Sequence, residues 1–249
     1  MATILLKSPA ELKIMRRAGR VVAGLLKLLE KEVRPGITTR HLDEAAEEYI
    51  RSSGTEPAFK GYYGYPACIC TSVNEEVVHG IPGKRVLRDG DIIGVDVGVK
   101  LEGFFSDAAR TFAVGDVDEE SKRLMRVTRE AMEAGIRRAV AGNRLGEISA
   151  AVQAHAEASG FSVVRQFVGH GIGRNLHEEP QVPNYGRPDQ GPTLEIGMAL
   201  AIEPMVNAGS HEVEILKDGW TVVTRDRRRS GHFEQTVFVG ETKAEIVTE

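Results

Sequence analysis

Asp91-Ile92-Ile93-Gly94-Val95-Asp96-Val97-Gly98-Val99 runs into Lys100-Leu101-Glu102-Gly103 and then into Phe104 through Val114, with Asp107 inside the last segment. Ile and Val crowd the first run, a turn follows, and a second strand-forming run returns, which predicts an antiparallel hairpin. Asp96 sits in mid-strand. A hairpin folded between Leu101 and Glu102 sets Asp96 directly across from Asp107, with Cβ atoms about 5 Å apart. Two carboxylates at that distance repel unless they share a proton or a cation. In the alternative register, Asp107 simply faces water in a loop.

Working outward, the same plan recurs downstream. Leu87-x-x-Gly90 leads after six residues to Asp96, and Leu194-x-x-Gly197 leads after six to Glu203, an offset of 107. Gly36 and Gly54 are 18 residues apart, as are Gly142 and Gly160, at an offset of 106. Helix signals fill the spaces before the strands. Ser8-Pro9-Ala10-Glu11 is a capping box, and Leu12, Met15, Val22, Leu25 and Leu29 follow at helical spacing until Arg34-Pro35-Gly36. Thr38 caps a second helix that Gly54 closes. Asp118 opens a third, and a fourth carries Ile148, Val152 and His155 before Gly160. A period of that length is too long for a solenoid. It reads as two similar α+β halves, about 8–114 and 118–240, each placing one carboxylate on a strand.

Further strands are expected at Val163–Val168, Met198–Ile202 and Phe233–Val239, and a structureless proline-rich stretch at Arg174–Pro192. The composition excludes several function classes. At 249 residues with 41% hydrophobic and 27% charged residues, the chain has enough apolar surface for a core and is not a disordered one. Lys plus Arg number 32 against 36 Asp plus Glu, a net charge of −4, which argues against a dedicated nucleic-acid or anionic-membrane binder. The apolar runs are too short to span a membrane, and Met1–Arg20 is broken by Lys7, Glu11, Lys13, Arg16 and Arg17, so it does not read as a secretory leader. Two close-set cysteines, Cys68 and Cys70, suit a reduced cytoplasmic setting.

Glu203 ends an apolar strand in Ala199-Leu200-Ala201-Ile202-Glu203-Pro204, where an unpartnered charge is expensive and a cation is expected. Glu234 precedes Gln235-Thr236-Val237-Phe238-Val239, and alone it reads as a solvated strand end. His170 stands between glycines in Gly169-His170-Gly171-Ile172-Gly173; a phosphate-cradling loop is the rival there, but no suitable helix follows. Four acids and one histidine form an oxygen-rich set, unlike a closed structural zinc site and suited to two divalent cations that activate water. Cys68 and Cys70 with His79 are a weaker metal candidate than plain core packing, and His41 and His155 read as structural or surface residues.

The chain resembles the methionine aminopeptidases of type I in their short bacterial form, from about Ser8 to Val247. The resemblance is carried by Ser72-Val73-Asn74-Glu75 leading to His79-Gly80-Ile81-Pro82, by Asp96 and Asp107, by Gly169-His170-Gly171-Ile172-Gly173, by His177-Glu178-Glu179-Pro180, and by Ile202-Glu203-Pro204 with Glu234. It implies the pita-bread fold, an α+β arrangement with internal pseudo-twofold symmetry, as a single catalytic peptidase domain over residues 1–249. It also implies that Asp96 binds one metal, that Asp107 and Glu234 bridge both, and that His170 with Glu203 completes the second. The ions the resemblance implies are two divalent cations, Co, Mn, Fe or Zn. On the same basis a metal-bridging water or hydroxide attacks, Glu203 handles its proton, and His79 and His177 bond the scissile peptide and its oxyanion. Phe59, Tyr62, Tyr65, Cys70, Leu176 and Trp220 match positions around the methionine side chain, Leu176 where relatives commonly carry phenylalanine. The implied task is removal of the N-terminal methionine before a small second residue from nascent chains at the ribosome, by a cytoplasmic monomer without sequence-specific nucleic-acid or membrane binding. The alternatives are an Xaa-Pro aminopeptidase or dipeptidase of the same superfamily, which usually carries a further N-terminal domain, and a non-catalytic protein-binding homologue, which would have lost ligands.

Overall fold

Ser8 accepts from the Glu11 backbone N–H, and the Glu11 carboxylate accepts from the Ser8 N–H at 2.8 Å, so α1 (Pro9–Glu32) starts where its capping box predicts. The computed structural model describes residues 3–249; Met1 and Ala2, the first residues of the stretch read against a leader, lie outside the described residues. Met15, Ala18, Val22, Leu25, Leu26 and Leu29 of α1 are wholly buried. Most of that stripe packs with Val95, Val97, Val99 and Ala108 of the hairpin into one apolar core. α2 (Thr39–Ser52) is capped by the Thr38 side chain and α3 (Glu119–Ile136) by Asp118. α4 (Leu145–Ala158) begins with the Glu147 carboxylate accepting from the Arg144 N–H at 3.2 Å.

The hairpin pairs Ile92–Leu101 with Phe104–Ala113, but Asp96 lies opposite Ala109 and Asp107 opposite Gly98. The directly opposed register is therefore corrected. The turn centres on Glu102-Gly103, both at positive φ (+50° and +83°), a two-residue loop whose twist matches the flanking strands. Moving the fold by one residue shifts every pairing by two. A shift of two keeps the face, so the two aspartates still project to the same side, as diagonal neighbours.

Ile92–Leu101 carries Phe104–Ala113 on one edge and Ile69–Val73 with the short Glu56–Pro57 on the other. A second antiparallel sheet runs in the order Glu245–Ile246, Gln235–Phe238, Ala199–Ile202, Gly169–Gly171, Glu178–Val182. Two expectations change here. Arg174–Pro192 is not structureless, because Glu178–Val182 pairs with Gly169–Gly171. The strand expected at Val163–Val168 shrinks to Ser162–Val163, which pairs with Met205–Asn207 before Arg165 and Gln166 turn out to solvent.

The repeat read from the glycines is visible in the hydrogen bonds. Gly36 N–H donates to Leu87 O at 2.8 Å and Leu87 N–H to Ile37 O at 2.8 Å. Gly142 N–H donates to Leu194 O at 2.9 Å and Leu194 N–H to Asn143 O at 2.8 Å. Gly36 and Gly142 hold φ of +91° and +92°, a conformation costly for any side chain. The two units meet where Phe104–Ala113 lies against residues 232–236. Glu234 N–H donates to Ala109 O at 2.9 Å, His232 N–H to Thr111 Oγ1 at 2.9 Å, and Thr236 Oγ1 to Asp107 O at 2.8 Å. That seam carries the carboxylates together.

Candidate metal centre and its apolar slot

Strand alternation decides which way each ligand candidate points. Asp96 and Asp107 share a hairpin face, Glu203 follows Ile202 off the end of its strand, and Glu234 stands immediately before Gln235, which pairs with Ile202. His170 pairs with Ala201 in the adjacent strand. The five converge on one cavity of about 220 Å3. Ligand atoms of Asp107, His170 and Glu234, all buried, lie within 4.8 Å of one another. His170 Nε2 is 3.6 Å from Asp107 Oδ2 and 3.5 Å from Glu203 Oε1.

The donor set fits divalent cations on three counts. His170 Nδ1 sits 2.9 Å from Gly171 O. A carbonyl only accepts, so Nδ1 carries the proton and the Nε2 lone pair faces the acids, the arrangement usual for a ligating imidazole. Asp96 Oδ1 is buried with no hydrogen-bond partner. The third count is charge. Removal from water pushes the Asp96, Asp107, Glu203 and Glu234 carboxyls above the ordinary range, and for Asp96, Glu203 and Glu234 the neighbouring acids push in the same direction. Such a cluster must hold protons or cations.

Beside the acids the cavity turns apolar, lined by Phe59, Tyr62, Tyr65, Cys70, Leu176 and Trp220. Tyr65 and Trp220 meet edge to face at 5.1 Å, and Tyr65 Oη lies 2.9 Å from Gly80 O, which fixes the phenol. Cys68 precedes the strand Ile69–Val73 and packs in the apolar core with α1 and α2, whereas Cys70 lies within that strand and packs with Phe59, Tyr65 and Leu176. Cys68 N–H donates to Asp43 Oδ1 at 2.8 Å, away from the cavity, whereas the buried Cys70 thiol lines it. Burial, then Asp96, pushes the Cys70 thiol up, so it lines the slot as a neutral wall, and with Cys68 packed in a separate core the residues Cys68, Cys70 and His79 do not form one site.

His79 and His177 also line the cavity. Tyr62 Oη is 2.8 Å from His177 Nδ1, and the His177 and His170 rings cross edge to face at 4.3 Å. Loss of water around the ring, then the neighbouring imidazoles, pushes His177 down. Burial, then His232, lowers His79 to about 4. Both are neutral at neutral pH. His79 is held at φ +61° with its ring against Phe167 at 5.6 Å. Away from the cavity, His41 and His155 each pair with one surface carboxylate, Glu32 at 3.0 Å and Glu130 at 3.1 Å.

Residues 13–241 match the model of metallopeptidase family M24. A methionine aminopeptidase of Clostridium perfringens is 55% identical over 98% of this chain and 98% of its own length. The crystal structure of a methionine aminopeptidase from Thermotoga maritima superposes with a TM-score of 0.98 at 48% identity, covering 99% of this chain and 100% of that one. The chain belongs to the methionine aminopeptidases of family M24. A prolidase from Pyrococcus furiosus shares the fold at a TM-score of 0.81 and 21% identity, but this chain spans only 65% of its length. Membership in family M24 carries divalent-metal binding with it, and the ligand candidates of this methionine aminopeptidase chain are all present around one cavity.

Two neighbours of the site escaped the sequence reading. Tyr63 stands at the cavity mouth, 85% exposed, against Tyr62 at 4.7 Å. Its signal was faint, since Tyr62 and Tyr63 are adjacent and only one was assigned. His232 is buried beside Glu203 with its Nε2 3.6 Å from Glu203 Oε2. It lies two residues before Glu234, so strand alternation puts both on one face, a signal that was there to be read.

Proposed function

We propose that this chain is itself a dinuclear-metal aminopeptidase that removes the N-terminal methionine from nascent chains, preferring those in which a small residue follows it. The observation that carries the reading is the union of the two halves of the cavity. An acid-and-imidazole cluster opens directly onto an apolar slot, in one space of about 220 Å3. That is small beside the ~300–1,000 Å3 of sites for drug-sized ligands, and it suits one side chain. Aromatic walls and a thiol favour a thioether. In this reading Asp96, Asp107, His170, Glu203 and Glu234 would hold the two divalent ions.

The ions, when bound, supply electrophilic polarisation of the peptide carbonyl and lower the pKa of water towards neutrality. The remaining steps belong to the chain. Glu203 accepts the proton of the attacking water and returns it to the departing amide nitrogen. Tyr62 Oη stands against His177 Nδ1; in this scheme its hydroxyl donates there, the imidazole proton is on Nε2, and the neutral ring donates to the carbonyl oxygen as negative charge develops. His79, which lines the same cavity, supports the same peptide. The substrate's free amine meets the acidic cluster, which restricts removal to the first residue. The units 8–114 and 118–240 act as a single catalytic domain in this account, and a cytoplasmic monomer working on chains leaving the ribosome is the setting it fits. No described helix is long and apolar enough to cross a membrane.

The test is release of methionine from Met-Ala-Ser by protein stripped with a chelator and reloaded with Mn2+. Release that disappears on stripping and returns with Mn2+ supports the reading. Absence of free methionine from the loaded protein, or preferential cleavage of an Xaa-Pro peptide, would overturn it.

A further inference from the structure

One imidazole at the centre has no part in the scheme above. His232 closes the Ser230–His232 strand, is 4% exposed, and its Nε2 finds no hydrogen-bond partner among the described residues. A buried ring nitrogen left unpaired is destabilising, so its position calls for a cause. The backbone beneath it is fixed at the seam between the two units. His232 N–H donates to Thr111 Oγ1 at 2.9 Å, and the Thr111 hydroxyl donates back to His232 O at 2.9 Å. The ring therefore hangs from a rigid support, with Nε2 3.6 Å from Glu203 Oε2 while Glu203 Oε1 lies 3.5 Å from His170 Nε2. One carboxylate is thus held between two imidazoles, each facing a different oxygen.

These two imidazoles differ in what they face. His170 Nε2 faces both Asp107 Oδ2 and Glu203 Oε1, at 3.6 and 3.5 Å, whereas among the described residues Glu203 is the single carboxylate within 4.0 Å of His232 Nε2. His232 meets the far oxygen of Glu203. We propose that His232 is a positioning residue for the metal centre: its Nε2–H donates to Glu203 Oε2 and turns Oε1 towards the ion held with His170. The inference rests on reading the acidic cluster as a metal centre. It extends that reading by naming a residue that neither binds the ion nor touches substrate, yet sets how firmly the ion is held. A donor aimed at the outer oxygen of a ligating carboxylate stiffens the ligand before the ion arrives, and loss of such partners commonly weakens metal affinity about 10- to 100-fold.

The test compares His232→Leu, which fills the space without a donor, with His232→Gln, whose carboxamide keeps an N–H at similar reach. Full-length, metal-stripped proteins are titrated with Mn2+ by calorimetry, with thermal melts as the check on folding. The expected result is a dissociation constant raised about 10- to 100-fold in His232→Leu and close to the parental value in His232→Gln. If His232→Leu does not fold, His232→Asn, whose shorter arm withdraws the donor, replaces it with the same expectation. Co2+ absorption bands of His232→Gln should match the parental bands, because no ligand has been exchanged. Parental Mn2+ affinity in His232→Leu overturns the role, as does His232→Gln weakening as far as His232→Leu. A parental protein that takes up no Mn2+ would instead overturn the metal reading itself.

Discussion

His177 sits at the mouth of the cavity with Tyr62 on its Nδ1, and its role separates a substrate-facing imidazole from a ligand. Removing it by His177→Ala should lower kcat by roughly 10²–10³, the usual loss for one oxyanion donor, with metal content unchanged. Loss of an ion in that variant, measured by elemental analysis, would place His177 among the ligands. The neighbouring carboxyls carry a second consequence. Their pKa values are raised in the fold by removal from water and mutual repulsion, so the folded apo-protein binds more protons than the unfolded chain. For an acid shifted upward, that contribution to stability is full below the unfolded value, near pH 4, and is lost as pH rises towards the folded one. Cations that displace those protons bind more tightly as pH rises. The gain in Tm on adding saturating Mn2+ over chelator should therefore be larger at pH 8 than at pH 6, and a gain that is flat or reversed would contradict protonated carboxyls in the apo-centre.

At the scale of elements, the loop bearing Leu176 and His177 is tied down from a distance. Lys7 Nζ pairs with Glu178 Oε2 at 2.6 Å with both side chains buried, and it also donates to Leu5 O at 2.8 Å. Gly173 makes room for the pair, since a Cβ there would collide with Lys7 Cε. Breaking such a buried pair from one side leaves an uncompensated charge, so Lys7→Met should cost about 3–5 kcal/mol in urea denaturation. Adding Glu178→Gln should recover part of it. Equal stability of Lys7→Met and the parent would show the pair to be idle. No local signal announced this contact, because 171 residues separate its partners. The hairpin was legible for the opposite reason, since pattern and turn lie within a few residues. Only its centre was misplaced, because Glu102 adopts a positive φ that a bulky non-glycine residue rarely takes. The strand Glu178–Val182 was hidden because its pairing partner, not its own Glu- and Pro-rich sequence, makes it a strand.

For the whole molecule, the glycine spacing foretold a repeated unit, and the repeat explains why two carboxylate-bearing strands face one cavity. The first unit presents Asp96 and Asp107 on its hairpin and the second presents Glu203 and Glu234 at strand ends, and the seam at Asp107, Thr111, Glu234 and Thr236 locks the two together. Spacing alone did not reveal what the seam would bury, which is why His232 went unread while Asp96 and Glu203 did not. The remaining whole-molecule property is selectivity, for the central claim is that the acidic cluster and the apolar slot serve methionine together. Tyr62, Tyr65, Cys70 and Trp220 make the slot, and Leu176 stands on its wall. Leucine branches one carbon nearer the backbone, where a narrow slot is least forgiving, and a misfit of about one methyl group is worth roughly 10- to 200-fold in kcat/KM. The measurement is kcat/KM for Met-Ala-Ser against Leu-Ala-Ser with Mn2+ at a single pH. A ratio within that range in favour of methionine is the result expected, and a ratio near unity would contradict the account, leaving an aminopeptidase without a methionine slot.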